Sequence, residues 1–370
     1  MSDGPLFTAL ATSTRQLHNL LRCIAFTPQA TVSITPEGLR VTTEEVHAIQ
    51  ASTLLDKSLF SSYLLSQAAN DTSIPPFRIN ILALLETLQI FGITDSSSNS
   101  HKNQNGGITS SYAYNSAFHT PALGLGGTCK ITYAQPGAPL TITIEENGVK
   151  TTCDMNTYSL PNMYDADENE IPLDRNALVM KIIMPSTWLH DAVSELASTN
   201  SENLVVNGSS ISAPFFALEG HGGPFGDSTV DFAPPSATAS TSTSSDFPAA
   251  GRRKQPAITE TFSVAAPPGS HPPGRVKQSY SFKLIKMAGR AMALGSKVSV
   301  RMDRQGVLSL QFMVEQASEG SGVMGNVGAF SFVDFRFVPL VEDDEDMDEE
   351  EADEDYQEDD VDDEVASNAS

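Results

Sequence analysis

The sequence predicts an α+β protein made of two similar domains, each combining antiparallel strands with two helices. Three features carry that reading. One order of segments (strand, helix, several strands, helix, three strands) runs through the first half of the chain and again through the second. Strand segments alternate apolar and polar residues, while each helix segment is apolar along one stripe only. At 370 residues the chain also exceeds what one hydrophobic core usually supports.

In the first half, LFTALAT (6–12) opens as a strand. TRQLHNLLRCIAF follows as a helix with Leu17, Leu20, Leu21 and Ile24 on one stripe, and Ser13 or Thr14 can cap it. ATVSITPEGLRVTTEE and HAIQASTLL are period-two strands with a turn at Pro36–Gly38. FRINILALLETLQIFG (77–92) carries a helix, after which TCKITYAQ, PLTITIEE and VKTTCDMN are strands divided by Pro-Gly and Asn-Gly turns. The second half repeats this. LVMKIIMP is a strand and STWLHDAVSELAS a helix with Leu189, Ala192, Val193 and Leu196 inward. NLVVNGSSISAPFFALEG is a strand pair, DSTVDFA a short strand, YSFKLIKMAGRAMALG a helix, and KVSVRMD, GVLSLQFMV and AFSFVDFRFV three closing strands. Leu17 aligns with Leu189; in the later helices Phe77 aligns with Tyr280, Asn80 with Lys283 and Gly92 with Gly295.

Composition marks the remaining segments. Residues 95–127 are rich in Ser, Asn and Gly, and 234–277 in Pro, Ser and Thr; neither is periodic, and both read as disordered insertions. The expected boundaries are a domain at 1–158, an acidic, proline-bounded connector at 159–176, a domain at 177–340 and a disordered acidic tail at 341–370. The formal charge of −24 is concentrated in that tail: residues 342–364 hold 18 of the 46 acidic side chains and no Lys or Arg, leaving 28 acidic against 22 basic. Such a run repels itself and solubilises the chain or docks elsewhere. The basic cluster Arg252, Arg253, Lys254 reads as a solvated loop or a weak nuclear-import signal.

Cys23, Cys129 and Cys153 are odd in number and form no C-x-x-C pair, which argues against a disulfide framework or structural zinc and for reduced, intracellular thiols. MSDGPLFTAL lacks the pattern of a secretory leader, and no apolar run approaches the roughly 20 residues of a membrane span. No membrane association is expected, and sequons at Asn70 and Asn207 are chance matches.

On the helices, Arg15, His18 and Arg22 fall within about 60° of arc, opposite the apolar stripe. Lys283, Lys286 and Arg290 have the same i, i+3, i+7 spacing. An amphipathic helix needs a polar face, and Lys and Arg commonly fill it. Matched stripes in a duplicated plan, on a body of net negative charge, point further, to contact with a polyanion. Aromatics that would stack unpaired bases are missing, as is the Asn/Gln/Arg crowding of a base-reading helix. Sequence-independent contact with duplex backbone is what remains. The other two helices expose Glu86 and Gln89, and His190, Asp191 and Glu195, so a positive lining would be partial.

The duplicated order with its acidic connector resembles the sliding-clamp fold of proliferating cell nuclear antigen. FRINILALLETLQIFG, SKVSVRMDRQGVLSLQFMV and SFVDFRFVPLVEDDED are similar to the Rad-one subunits of the nine-one-one checkpoint clamp, over about residues 6–340 apart from the insertions. The resemblance implies a nuclear, heterotrimeric ring formed with two paralogous subunits. It would be placed on damaged DNA by a dedicated clamp loader, support checkpoint kinase signalling and repair, and encircle double-stranded DNA with inner helices and no cofactor. Arg290 then matches a lysine-bearing position of the second inner helix in the replicative clamp, and Arg15 falls at or beside one of the first; Glu86 and Gln89 depart from lysines there. Subunit contact would use edge strands carrying Val149, Thr151, Cys153 and Met155, and Ser228, Val230 and Phe232. The connector, with Met163, Tyr164 and Ile171, corresponds to the region where replicative clamps bind partner peptides, but it is more acidic.

Some members of that family have been described as 3′–5′ exonucleases, which makes an enzyme the rival reading. Metal-dependent phosphodiester cleavage needs several carboxylates converging on one or two ions from rigid elements. Asp165, Asp167, Glu168 and Glu170 lie in the connector, and Asp303 stands alone beside Arg301 and Arg304. No P-loop, H-E-x-x-H or G-x-S-x-G motif is present. A non-catalytic, metal-free subunit is therefore expected.

Overall fold

The computed structural model describes residues 4–11, 14–66, 74–89, 128–146, 148–160, 170–232, 261–266, 273–315 and 330–341. The first domain runs β1 (Phe7–Ala11), α1 (Thr14–Ile24), β2 (Gln29–Thr35), β3 (Gly38–Glu45), β4 (Ile49–Asp56), a 3-10 turn, β5 (Phe60–Leu65), β6 (Phe77–Asn80), α2 (Ile81–Gln89), β7 (Thr128–Tyr133), β8 (Leu140–Glu146) and β9 (Val149–Met155). β10 (Tyr158–Ser159) opens the connector. The second domain runs β11 (Leu178–Pro185), α3 (Ser186–Ser198), β12 (Asn203–Ser209), β13 (Phe216–His221), β14 (Ser228–Phe232), β15 (Thr261–Val264), β16 (Arg275–Ser281), α4 (Phe282–Ile285), a 3-10 turn at Lys286–Ala288, α5 (Gly289–Leu294), β17 (Lys297–Asp303), β18 (Leu308–Glu315) and β19 (Phe330–Phe337).

These strands form three antiparallel sheets, ordered β5-β1-β7-β8-β9, β10-β6-β2-β3-β4-β19-β18-β17-β11-β15 and β14-β13-β12-β16. The duplication is explicit in that list. β5-β1-β7-β8-β9 has its counterpart in β15-β11-β17-β18-β19, and β6-β2-β3-β4 in β16-β12-β13-β14. The two domains meet where β19 pairs with β4, with Phe335 opposite Ala51 and Arg336 opposite Gln50.

Local chemistry explains the elements. Alternation along β2 and β18 buries Ala30, Val32 and Ile34, and Leu308, Leu310, Phe312 and Val314. Between β7 and β8, Gly137 has φ +82° and the Ala138 N–H donates to the Gln135 carbonyl at 3.0 Å, as expected of a Pro-Gly turn. Asn80 caps α2 by accepting from the Leu82 and Ala83 N–H groups at 3.0 and 3.1 Å.

Several expectations need correction. Phe77–Asn80 is strand, because its N–H and C=O groups pair with Gln29–Val32 of β2 before the helix begins. Ile81 and Phe282 both donate to the residue before the next strand in the sheet, Pro28 and Glu202, at 2.9 and 2.8 Å. Ile81 is therefore equivalent to Phe282, two positions away from the alignment through Gly92 and Gly295. The second long helix is broken by a 3-10 turn at Lys286–Ala288, just before Gly289, a poor helix former. β5 was not expected, since its two serines conceal the alternation. Most consequentially, 234–277 is not wholly an irregular insertion: Thr261–Val264 pairs with Met180–Ile183, and β16 begins at Arg275. Residues 95–127, 234–260 and 342–370 lie outside the described residues.

Candidate nucleic-acid interface

α1 packs against α2 on one side and α5 on the other, and α3 packs on α5, so the helices form a row α2, α1, α4–α5, α3. α1 also contacts β4 and β19 and thus lies over the domain junction. Its inner stripe, Leu17, Leu20, Leu21 and Ile24, is at most 2 % exposed, which directs Arg15 and Arg22 to solvent. On α4–α5, burial of Phe282, Ile285, Ala288, Ala291 and Met292 likewise exposes Lys283, Lys286 and Arg290.

The two expected stripes meet. Arg290 Nη1 lies 3.5 Å from the Arg22 carbonyl oxygen, in the last turn of α1, where the helix dipole favours a cation. Lys286 lies over the Phe282 ring, its Nζ 5.3 Å from the centroid, which orients the stem without burying the charge. Beneath the strip, burial pushes the Cys23 thiol up to about 12, with Arg290 and Arg22 pulling the other way. Arg15, Arg22, Lys283, Lys286 and Arg290 thus form one cationic strip along the domain junction. Its flanks are different: α2 exposes Leu82, Glu86 and Gln89, and α3 exposes Asp191 and Glu195.

His18 is not part of this strip. It is 2 % exposed because α2 covers that flank of α1, and Gln89 Nε2 lies 2.8 Å from its Nε2. Asn19, half-buried, occupies the solvent side between the two arginines instead.

The edge strands are where the sequence order put them. Among the described residues, β9 pairs only with β8 and β14 only with β13. Val149 is exposed, and Thr151, Cys153, Ser228 and Val230 are half-buried, all accessible to a neighbour. Cys153 and Val230 also pack in part against their own domain's core, and Met155 and Phe232, each 6 % exposed, lie within it, so Met155 and Phe232 as side chains do not belong to an open surface.

The connector is anchored where the domains join. Ile171, 7 % exposed, donates its N–H to Gln50 Oε1 at 3.1 Å and accepts at its carbonyl from Arg336 Nη1 at 2.6 Å. Arg336 also reaches Glu170 at 2.9 Å and Asp334 at 3.4 Å. Ile171 is therefore an anchor held by one residue of each domain, not a surface for a partner. Met163 and Tyr164 lie outside the described residues. Leu160 and Glu170 border a polar groove of about 760 Å³ over β2, β3 and β6, whose lining includes Arg40 and Arg78. Nothing in the sequence pattern pointed to it, because its Thr, Ser and Arg residues are the ordinary outward half of alternating strands.

Asp303, the isolated carboxylate weighed for catalysis, is 1 % exposed and accepts from the Asp174, Gln305 and Val307 N–H groups at 3.0 Å each. It staples a turn. Among the described residues no group of three His, Cys, Asp or Glu could hold a metal ion, and no helix is long and apolar enough to cross a membrane.

A family model described as "Repair protein Rad1/Rec1/Rad17" matches residues 6–314. The chain belongs to that Rad1 family. Among its relatives, the DNA damage checkpoint control protein rad1 of Schizosaccharomyces pombe is 30% identical, the match covering 92% of this chain and 89% of the relative. The cell cycle checkpoint protein RAD1 of Homo sapiens is 27% identical over 91% and 92%. Among solved structures, PCNA from Thermococcus kodakaraensis superposes with a TM-score of 0.56 at 12% identity, covering 90% of this chain and all of that one. The Rad1-family chain described here therefore has the sliding-clamp fold.

Proposed function

We propose that this chain is a non-catalytic subunit of a DNA-encircling ring that serves the DNA-damage checkpoint. The single observation that carries the reading is the relation between the internal junction and the open edges. β19 closes on β4 within the chain, while their counterparts β9 and β14 each pair on one side only among the described residues, so the chain has one further junction of the same kind to offer at each end. Repetition of one junction closes a ring, and the helix row, cationic over its centre, would face the hole.

Double-stranded DNA is the expected occupant, held without sequence preference through its phosphates. The checkpoint role rests on the names of the relatives and on the family. Two paralogous subunits as ring partners, a dedicated loader, checkpoint kinase signalling and a nuclear site of action follow from the same kinship. The exonuclease alternative finds no support among the described carboxylates.

The test is to reverse Lys283, Lys286 and Arg290 together and measure retention of the assembled ring on closed circular DNA. Reduced retention by a folded, assembled variant is expected; unchanged retention refutes the assignment of this face.

A further inference from the structure

The cations of the strip differ from others on the chain in what neutralises them. Lys277, Arg301 and Arg336 each meet a carboxylate, from Glu219, Asp334 and Glu170 in turn. Lys283, Lys286 and Arg290 pair with no carboxylate among the described residues; Arg290 reaches the Arg22 carbonyl oxygen and Lys286 covers the Phe282 ring. A surface of exposed, unneutralised cations attracts any polyanion within reach.

The chain carries such a polyanion. Residues 342–364 hold 18 acidic side chains and no Lys or Arg. Fully extended, 23 residues span about 80 Å, or about 4.5 Å per charge, which approaches the spacing of about 3.4 Å per phosphate along one DNA strand. The segment also starts beside the strip. Leu340 donates its N–H to the Ser279 carbonyl at 2.8 Å, and its own carbonyl accepts from Gln278 Nε2 at 3.3 Å. Ser279 lies four positions before Lys283, just ahead of α4. From Lys283 to Arg290 the helix advances only about 10 Å, so tether length sets no limit.

We propose that residues 342–364 compete with duplex phosphates for the strip of Arg15, Arg22, Lys283, Lys286 and Arg290, so that the chain carries its own brake on DNA binding. The brake presupposes the DNA-facing strip proposed above and adds a competitor to it. Competition of this kind needs no fixed contact: opposite charge suffices when a tether holds the ligand at an effective concentration of order millimolar. Because the charges on both sides are exposed, salt weakens the brake.

The test uses the full chain with every Asp and Glu of 342–364 replaced by Asn or Gln, which removes the charge and keeps the length; cooperative melting at the wild-type temperature checks its fold. In the assembled ring this variant should bind a labelled duplex about fivefold more tightly at about 50 mM salt. Its log K should also fall more steeply with log salt, because DNA no longer displaces a polyanion that takes counterions back up. The gain should vanish when Lys283, Lys286 and Arg290 are alanine as well. Unchanged affinity overturns the proposal. So does an equal gain in the alanine background, which would reveal repulsion by overall charge instead of competition for the strip.

A second measurement needs no DNA. A fluorescent peptide of residues 342–364 should bind the charge-neutral variant alone at about 50 mM salt and lose that binding when Lys283, Lys286 and Arg290 are reversed. A peptide that does not bind, or one whose binding survives the reversal, also overturns the proposal. With no duplex present, this result is separate from retention on closed circular DNA, which judges the ring reading.

Discussion

Replacing Lys283, Lys286 and Arg290 by alanine should flatten the salt dependence of DNA binding by the assembled ring. All three side chains are exposed on one strip beside Arg22, so each can approach a phosphate without rearrangement. For duplex DNA, log K falls with log salt by about 0.9 per neutralised phosphate, so losing three contacts lowers the slope by about 2.7. Carried to about 0.15 M salt, the same relation gives a loss of about a hundredfold in affinity, fading toward 1 M. Equilibrium binding of a labelled duplex across a salt series reads both quantities. Lys286 also covers Phe282, a cation–π contact worth about 0.5–1 kcal/mol at an exposed site, so a modest drop in melting temperature is expected and must be measured alongside. Lys130→Ala with Lys181→Ala serves as the control: both are exposed, and they alternate with the core-facing Cys129 and Ile131 and with Met180 and Ile182, so both point away from the helices. An unchanged slope in the triple variant, or an equal change in the control, would refute the strip as the DNA-contacting surface.

Other outcomes follow from the packing. Phe335→Ala removes a fully buried ring at the domain junction and should cost about 3–5 kcal/mol in denaturant unfolding. Arg336→Ala frees the Ile171 carbonyl and leaves Asp334 and Glu170 short of a partner, so proteolysis near residue 170 should accelerate and stability fall by about 3 kcal/mol. Deleting 234–260 should leave a cooperatively folding chain, whereas deleting 234–277 removes β15, the first residues of β16 and the 2.8 Å bond from Arg275 to Asn207, and should abolish that transition. The Cys23 and Cys129 thiols, held by burial at about 12 against a normal value of 9.0, should resist alkylation in the native state, while half-buried Cys153 reacts. Because the unfolded chain releases those protons from pH 9 upward and the native chain does not, their contribution to stability should decline as pH rises from 9 to 12.

Much of this fold was legible because duplication writes the same pattern twice. The periodic segments with strong alternation, such as β8 and β18, and the one-sided helices α1 and α3 stand out in the sequence without help. β5 and β15 do not, since FSSYLL and TFSV are short, serine-containing edge strands whose existence depends on a neighbour to pair with. The cationic strip was half legible. Periodicity located Arg15, Arg22, Lys283, Lys286 and Arg290, but it cannot say which flank of a helix a neighbour will cover. His18 lies within the same arc as the two arginines and is buried only because α2 packs there. Met155 and Phe232 misled for a related reason: a strand can be open at its backbone edge while half its side chains serve its own core.

The distribution of charge over the helix row is tied to the two kinds of junction. The equivalences place Arg15 and Arg22 opposite Thr187 and Ser194, and Lys283, Lys286 and Arg290 opposite Leu82, Leu85 and Gln89. Every cation of the strip thus lies on α1 or α4–α5, the helices that meet inside the chain, and its counterpart on α2 or α3 is uncharged. Those outer helices would meet a neighbour's helices in a closed ring, and there Glu86, Asp191 and Glu195 add negative charge. A ring of identical copies would then alternate cationic centres with acidic seams, and a duplex backbone tracking round the hole would be repelled at every seam. A neighbour that carries cations on its own seam helices removes that conflict. If measured binding showed that neutralising Glu86, Asp191 and Glu195 leaves the ring's affinity for DNA unchanged, this electrostatic argument would fail.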